Sequence, residues 1–246
     1  MSFCRYLIIG NWFCYHKYSD NIFKIIGESG FLCKYSSGGV ISRKISLSLI
    51  KYTIMTTEQH PLTPFLPEAA RLLMLGSFPP KRERWSMEFF YPNWQNDMWR
   101  IVGHIFFADK HHFEVVGEKR FDKAKIETFC IAKGIAMYDT ACEVQRLKDN
   151  ASDKFLEVVR ATDVVALLKQ LPKCRAIVTT GQKATDVIVE QFGCREPAVG
   201  QCEVISIAGR KVKFWRMPSS SRAYPLKLER KAEAYKVMFN SIFGEM

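Results

Sequence analysis

Arg71-Leu72-Leu73-Met74-Leu75-Gly76 is a short apolar run that stops at a glycine. A run of this length, without alternation, reads as a buried strand. The same pattern recurs downstream. Ile135 to Tyr138 ends at Asp139, and Ala176 to Thr179 is closed by Gly181. Between these runs lie stretches with apolar residues at helical spacing. They are Asp97 to Phe107, Lys123 to Lys133, a helix through Leu167, Leu168 and Leu171 capped by Thr162-Asp163, and Gln182 to Phe192. Val204 to Ile207 and Val212 to Trp215 alternate around Ala208-Gly209-Arg210, which predicts a hairpin. Leu226 to Phe243 closes the chain as a long helix, with Leu228, Ala232, Tyr235, Met238 and Phe239 on one face. Strands alternating with helices predict an α/β fold, a three-layer αβα sandwich around a central, mainly parallel sheet. Ligands of such sheets sit beyond the carboxyl ends of the strands. Gly76 to Pro79, Asp139-Thr140, Thr180-Gly181-Gln182 and Met217 to Ser221 all follow strands, so they should gather on one edge.

Of 246 residues, 48% are hydrophobic, enough to bury a substantial core, and the formal charge is +11. That surplus suits a polyanionic partner. No apolar stretch approaches the roughly 18 residues of a membrane span, so no membrane partner is expected. None of the eight cysteines forms a CxxC pair. They read as reduced thiols of a cytoplasmic protein, and neither a metal nor another cofactor is expected. His104 reads as a helix residue, and His111-His112 as a solvated pair.

The first 54 residues differ from the rest. All ten prolines lie beyond them, and their seven Lys and Arg outweigh Asp20 and Glu28. They show no sustained periodicity, and Ser36-Ser37-Gly38-Gly39 interrupts them. The expectation is an extension over 1–54, non-native or poorly ordered, followed by a domain over 55–246. Met55-Thr56-Thr57-Glu58 would be the start of a bacterial protein. The alternative is a basic arm that adds nucleic-acid affinity.

Two segments carry candidate chemistry. From Gly76 a proline-stiffened loop leads to the aromatic cluster Phe89, Phe90, Tyr91 and Trp94, and then to Asn96-Asp97 at a helix start. A base needs an aromatic face to stack on, worth about 1–3 kcal/mol per base. The plainer reading is core aromatics and a helix cap. Met217-Pro218-Ser219-Ser220-Ser221-Arg222 offers hydroxyls, backbone N–H groups and one cation, which suit a phosphate. The plainer reading is a serine-rich turn. Asp139 either reads a base edge or caps a turn.

Four segments in order resemble the uracil-DNA glycosylase superfamily, closest to its hypoxanthine-DNA glycosylase branch (family 6). They are Gly76-Ser77-Phe78-Pro79, Tyr91 to Trp99, Gly134 to Asp139, and Pro218-Ser219-Ser220-Ser221. The resemblance covers about Leu72 to the C-terminus. It implies a monofunctional enzyme that flips a deaminated base, hypoxanthine or uracil, out of DNA and hydrolyses its N-glycosidic bond, initiating base excision repair. Many members place an Asp or Asn where Phe78 stands. In the hypoxanthine branch the water-orienting role passes to Asn96, with Asp97 a second candidate.

The resemblance further implies that Tyr91 stacks on the base and Asp139 reads its edge. Backbone N–H groups of Gly76 and Ser77 would stabilise the departing anion. Pro218, Ser219, Ser220 and Ser221 would hold flanking phosphates, with Arg222 inserting into the duplex or pairing with a phosphate. No Lys stands at a motif position, so no lyase step is expected. The partner is DNA containing deaminated bases, bound by a monomer working at the nucleoid. Two other readings stay open: a non-catalytic lesion binder of the same fold, and a nucleoside hydrolase.

Overall fold

The computed structural model describes residues 6–9, 12–15, 57–147 and 155–245. The chain divides into two units, Met1–Thr56 and Thr57–Met246. In the first, strands β1 (Tyr6–Ile9) and β2 (Trp12–Tyr15) pair antiparallel, Tyr6 opposite Tyr15 and Ile9 opposite Trp12. This pair was not anticipated, because two four-residue strands leave too short a pattern to register as periodicity. The Ser36 to Gly39 run and the expected start at Met55 lie outside the described residues.

The second unit is a mixed α/β fold built on a five-stranded, parallel-rich sheet. Its strands are β4 (Leu72–Gly76), β5 (Ile135–Asp139), β8 (Ala176–Thr180), β9 (Gln201–Ile207) and β10 (Arg210–Met217), in the order β5-β4-β8-β10-β9. The first four are mutually parallel, and β9 joins β10 antiparallel. Every residue of β4, β5 and β8 is buried. Strands covered on both faces carry continuous apolar runs, which is why these three are legible in the sequence. The β9–β10 hairpin turns on Ala208 and Gly209 alone, both at positive φ as a two-residue turn requires. Arg210 already belongs to β10, and both strands run longer than their alternation suggested.

The helices are α1 (Met98–Phe107), α2 (Lys123–Lys133), α3 (Val164–Gln170), α4 (Gln182–Phe192) and α5 (Leu228–Phe243). Asp122 caps α2 and Asp163 caps α3, each accepting a backbone N–H with its side chain. Helices α1 and α5 pack together, α2 lies against β5, α4 against β8 and α5 against β10. Trp99, Phe113, Phe214, Tyr235 and Phe239 are fully buried at the centre. No helix among the described residues is long and apolar enough to cross a membrane.

A second, three-stranded antiparallel sheet was not foreseen. Strands β3 (Thr57–Gln59), β6 (Ala141–Arg146) and β7 (Leu156–Ala161) pair in the order β3-β6-β7. The β6–β7 register shifts on either side of Glu143, which breaks the alternation that would have announced it. The chain passes from β5 to β6 through Thr140, whose N–H and hydroxyl both donate to the Gly76 carbonyl, at 2.8 and 3.1 Å. Asp139 therefore sits at the corner between the two sheets.

Candidate functional site

The carboxyl edge of the parallel strands opens into a cleft of about 660 Å³. Its lining draws on the loops after β4, β5, β8 and β10: Gly76 to Phe78, Phe90 and Tyr91, Asn96, Asp139, Thr180, and Ser219 to Arg222. The segments expected to gather on one edge do so.

The aromatic loop before α1 is pinned from below. Trp99 Nε1 donates to the Phe90 carbonyl at 3.0 Å, and Ser86 donates to the Pro92 carbonyl through both N–H and hydroxyl. Arg100 lies 4.3 Å over the Trp94 ring and donates to the carbonyls of Trp94 and Asn96. The cluster divides accordingly. Phe89 is core, Trp94 packs under Arg100, and Phe90 and Tyr91 reach the cleft.

Tyr91 holds φ at 53°, a conformation L-residues rarely adopt. Its hydroxyl shares a 2.9 Å hydrogen bond with Thr180 Oγ1. Burial pushes the Tyr91 hydroxyl well above its ordinary pKa, against the pull of the Thr180 bond, and the charge of Asp139 adds to the rise. Tyr91 is therefore a neutral phenol throughout the working range.

Asn96 and Asp97 divide their roles unexpectedly. Asp97 is the N-cap residue of α1, yet its side chain makes no capping bond. Asn96 Oδ1 caps instead, accepting from Met98 N at 2.9 Å. That leaves the second lone pair of Oδ1 and the amide hydrogens of a residue that lines the cleft. The Asp97 carboxylate does not line the cleft. It meets Arg222 Nε at 2.8 Å, Arg100 and Lys231 each at 3.8 Å, and is nine-tenths buried. A carboxylate within 4 Å of three cations organises its surroundings. Burial lowers the Lys231 pKa, partly offset by the charge of Asp97.

Lys231, Tyr235 and the Asp97 backbone also hold the serine loop. Lys231 Nζ donates to the Ser221 carbonyl at 2.7 Å, Tyr235 Oη to the Pro218 carbonyl at 2.9 Å, and Asp97 N to the Ser220 carbonyl at 2.9 Å. Asn96 and Ser221 form a β-bridge, which ties the loop to the start of α1. Ser219 Oγ accepts from Ser221 N and Ser221 Oγ accepts from Ala223 N. Each hydroxyl keeps its hydrogen to donate to an anion. Ser220 is buried, and Arg222 is half-exposed while paired with Asp97.

Phe78 packs with Ala141, Val144 and Leu156 beneath the edge of the cleft. Gly76 stands against the Asp139 carboxylate. A Cβ there would lie 2.3 Å from Asp139 Oδ1, so only glycine leaves room. Asp139 Oδ2 meets His60 Nε2 at 2.9 Å, and the His60 side chain is 2% exposed. No sequence pattern singled out His60. It stands just past β3 and is 79 residues from its partner, and the only local sign was its place before Pro61 in a turn.

Among the described residues, the other histidines hold no such place. His111 pairs with Glu114 on the surface, while His112 stacks on Phe107 with ring centroids 3.6 Å apart, so it is half-buried and not solvated as expected. Among the described residues, no three His, Cys, Asp or Glu are grouped to hold a metal.

No family model matches the chain, and no curated protein matches it. Solved structures similar to the chain include the solution NMR structure of a Methanosarcina acetivorans protein provisionally assigned as a uracil DNA glycosylase. It aligns at 19% sequence identity with a TM-score of 0.52, over 76% of this chain and 99% of that one. This chain shares the fold of that structure.

Proposed function

We propose that the chain is a monofunctional DNA glycosylase that extrudes a deaminated base, hypoxanthine or uracil, and hydrolyses its N-glycosidic bond. On this reading residues 55–246 carry the activity, as a three-layer αβα domain. The observation that carries the proposal is the make-up of this cleft. It collects a base-sized recess at Gly76, Tyr91 and Asp139, a side chain able to orient water at Asn96, and a hydroxyl-rich loop with a cation at Ser219 to Arg222. At about 660 Å³ it has room for a flipped nucleotide together with its flanking phosphates.

In this mechanism the base enters between Phe90, Tyr91 and Phe78, with its edge toward Asp139. Ser219 and Ser221 donate to the phosphates on either side, and Arg222 adds a charge at the rim. The N-glycosidic bond breaks through a cation-like sugar, with backbone N–H groups of Gly76 and Ser77 facing the departing base anion. Water held by Asn96 adds at the sugar carbon. An amide is a poor base, so Asn96 supplies orientation, which a cation-like transition state rewards. Asp97 acts through the loop it anchors.

Duplexes carrying a single uracil or hypoxanthine, followed by alkaline cleavage of abasic sites, test this directly. Asn96→Ala is expected to lower kcat by about 100-fold, the scale of a lost positioning contact. Absence of abasic product on any deaminated base, with Asn96→Ala indistinguishable from wild type, refutes the proposal.

A further inference from the structure

We infer that His60 is a positioning residue for Asp139. Its Nε2–H holds the carboxylate as an oriented acceptor in the cleft, so the cleft takes a base edge that presents a hydrogen-bond donor beside an acceptor. This rests on the reading of the cleft as a base pocket and names the edge chemistry it selects.

His60 lies in a segment outside every motif that marks the site. It is enclosed by rings, with Tyr138, Phe78 and Phe90 centroids 4.5, 5.2 and 6.3 Å away. Its Nδ1 lies 3.1 Å from Leu62 N and 2.8 Å from the Leu62 carbonyl. If Leu62 N–H donates to Nδ1, the ring is neutral with its hydrogen on Nε2. In that arrangement Nε2 donates to Asp139 Oδ2.

Oδ1 of Asp139 then sets the recognition. It lies over Gly76, where a Cβ would stand 2.3 Å away, and no described residue hydrogen-bonds to it. The Tyr91 hydroxyl is 3.7 Å from that same Cβ position. Tyr91 and Thr180 have two hydroxyl hydrogens between them, and their mutual bond uses one. The recess thus offers one acceptor, Oδ1, and one donor, the remaining hydroxyl hydrogen. A ring N–H beside a carbonyl, the lactam edge, complements both. An N-methylated lactam does not.

The test uses the full chain. Long-range ¹⁵N–¹H NMR of the wild-type imidazoles should show a hydrogen on His60 Nε2. His60→Gln retains a donor, and His60→Phe retains the ring without one. His60→Gln should keep kcat/KM on uracil and hypoxanthine duplexes within about threefold, while His60→Phe should lose about 10- to 100-fold, the scale of a charge-assisted hydrogen bond. Wild type should also reject 3-methyluracil against uracil.

An unprotonated Nε2 overturns the inference. So does a folded His60→Phe with wild-type kcat/KM, or equal excision of uracil and 3-methyluracil. If the wild type excises no base, the reading of the cleft falls, and the NMR result still decides what His60 does for Asp139. If His60→Phe does not fold, the NMR result and the methyl comparison decide on the wild type alone.

Discussion

Replacing Gly76 with alanine isolates one contact. The Gly76 backbone is at an ordinary φ, so alanine is not strained there by conformation. What forbids it is Asp139, whose Oδ1 would lie 2.3 Å from the new Cβ and whose Cγ would lie 3.5 Å away. Carbon–oxygen contact needs about 1 Å more than the first distance provides. The carboxylate cannot shift that far and keep its 2.9 Å bond to His60. Overpacking of this kind destabilises by about 1–3 kcal/mol. For a domain of this size that is a fall in Tm of about 2–10 °C. The same 1 Å displacement at the base edge should cost about 100-fold in kcat/KM on a uracil or hypoxanthine duplex.

Thermal melts and the abasic-site assay measure the two effects separately, and a double-mutant cycle assigns them. In an Asp139→Ala background, Gly76→Ala should be nearly neutral for stability, because the clashing oxygens are gone. A Gly76→Ala enzyme with wild-type kcat/KM, or a stability loss undiminished in the Asp139→Ala background, refutes the reasoning.

Asp97→Asn should destabilise by about 3 kcal/mol, since Lys231 stays buried without its counter-charge while Arg100 keeps Glu114 at 2.6 Å; denaturant melts measure it, and a change under about 0.5 kcal/mol contradicts the network. Lys231 sets an alkaline pH dependence. Its pKa is lowered in the fold from the ordinary 10.5, so at pH values between the two the unfolded chain binds more protons, and the penalty of burying the ammonium is relieved as pH rises. The stability difference between wild type and Lys231→Met should therefore shift in favour of wild type as pH climbs toward 10.5, and a flat difference counts against it. Burial raises the thiol pKa of Cys130 far above the ordinary range and that of Cys174 to about 11. Both should resist iodoacetamide at pH 8 in the native protein and label on denaturation, as peptide mapping will show.

The parallel strands, the helices between them and the edge on which their loops gather were legible in the sequence. Each of these signals is local. A strand buried on both faces must be apolar throughout, and a helix end must find a cap within a few residues, as Asp122 and Asp163 do for α2 and α3. The four motifs resembling the glycosylase superfamily are local too, and they contain Gly76, Tyr91, Asn96, Asp139 and the serine loop, which the fold brings to one cleft. The tertiary structure decided which of these side chains have partners, and with what consequence.

Asp97 reads in the sequence as a cap or a second catalytic group, and only the fold brings Arg222, 125 residues away, and Lys231 of α5 to its carboxylate. His60 gave no periodic signal, because a histidine beside a three-residue strand has no periodicity to read. Its meaning lies in Asp139, across 79 residues and two sheets. Periodicity reports how an element buries its own face. Partnerships between charged and polar groups depend on which loops the sheet edge brings together, and that is fixed only when the chain has folded.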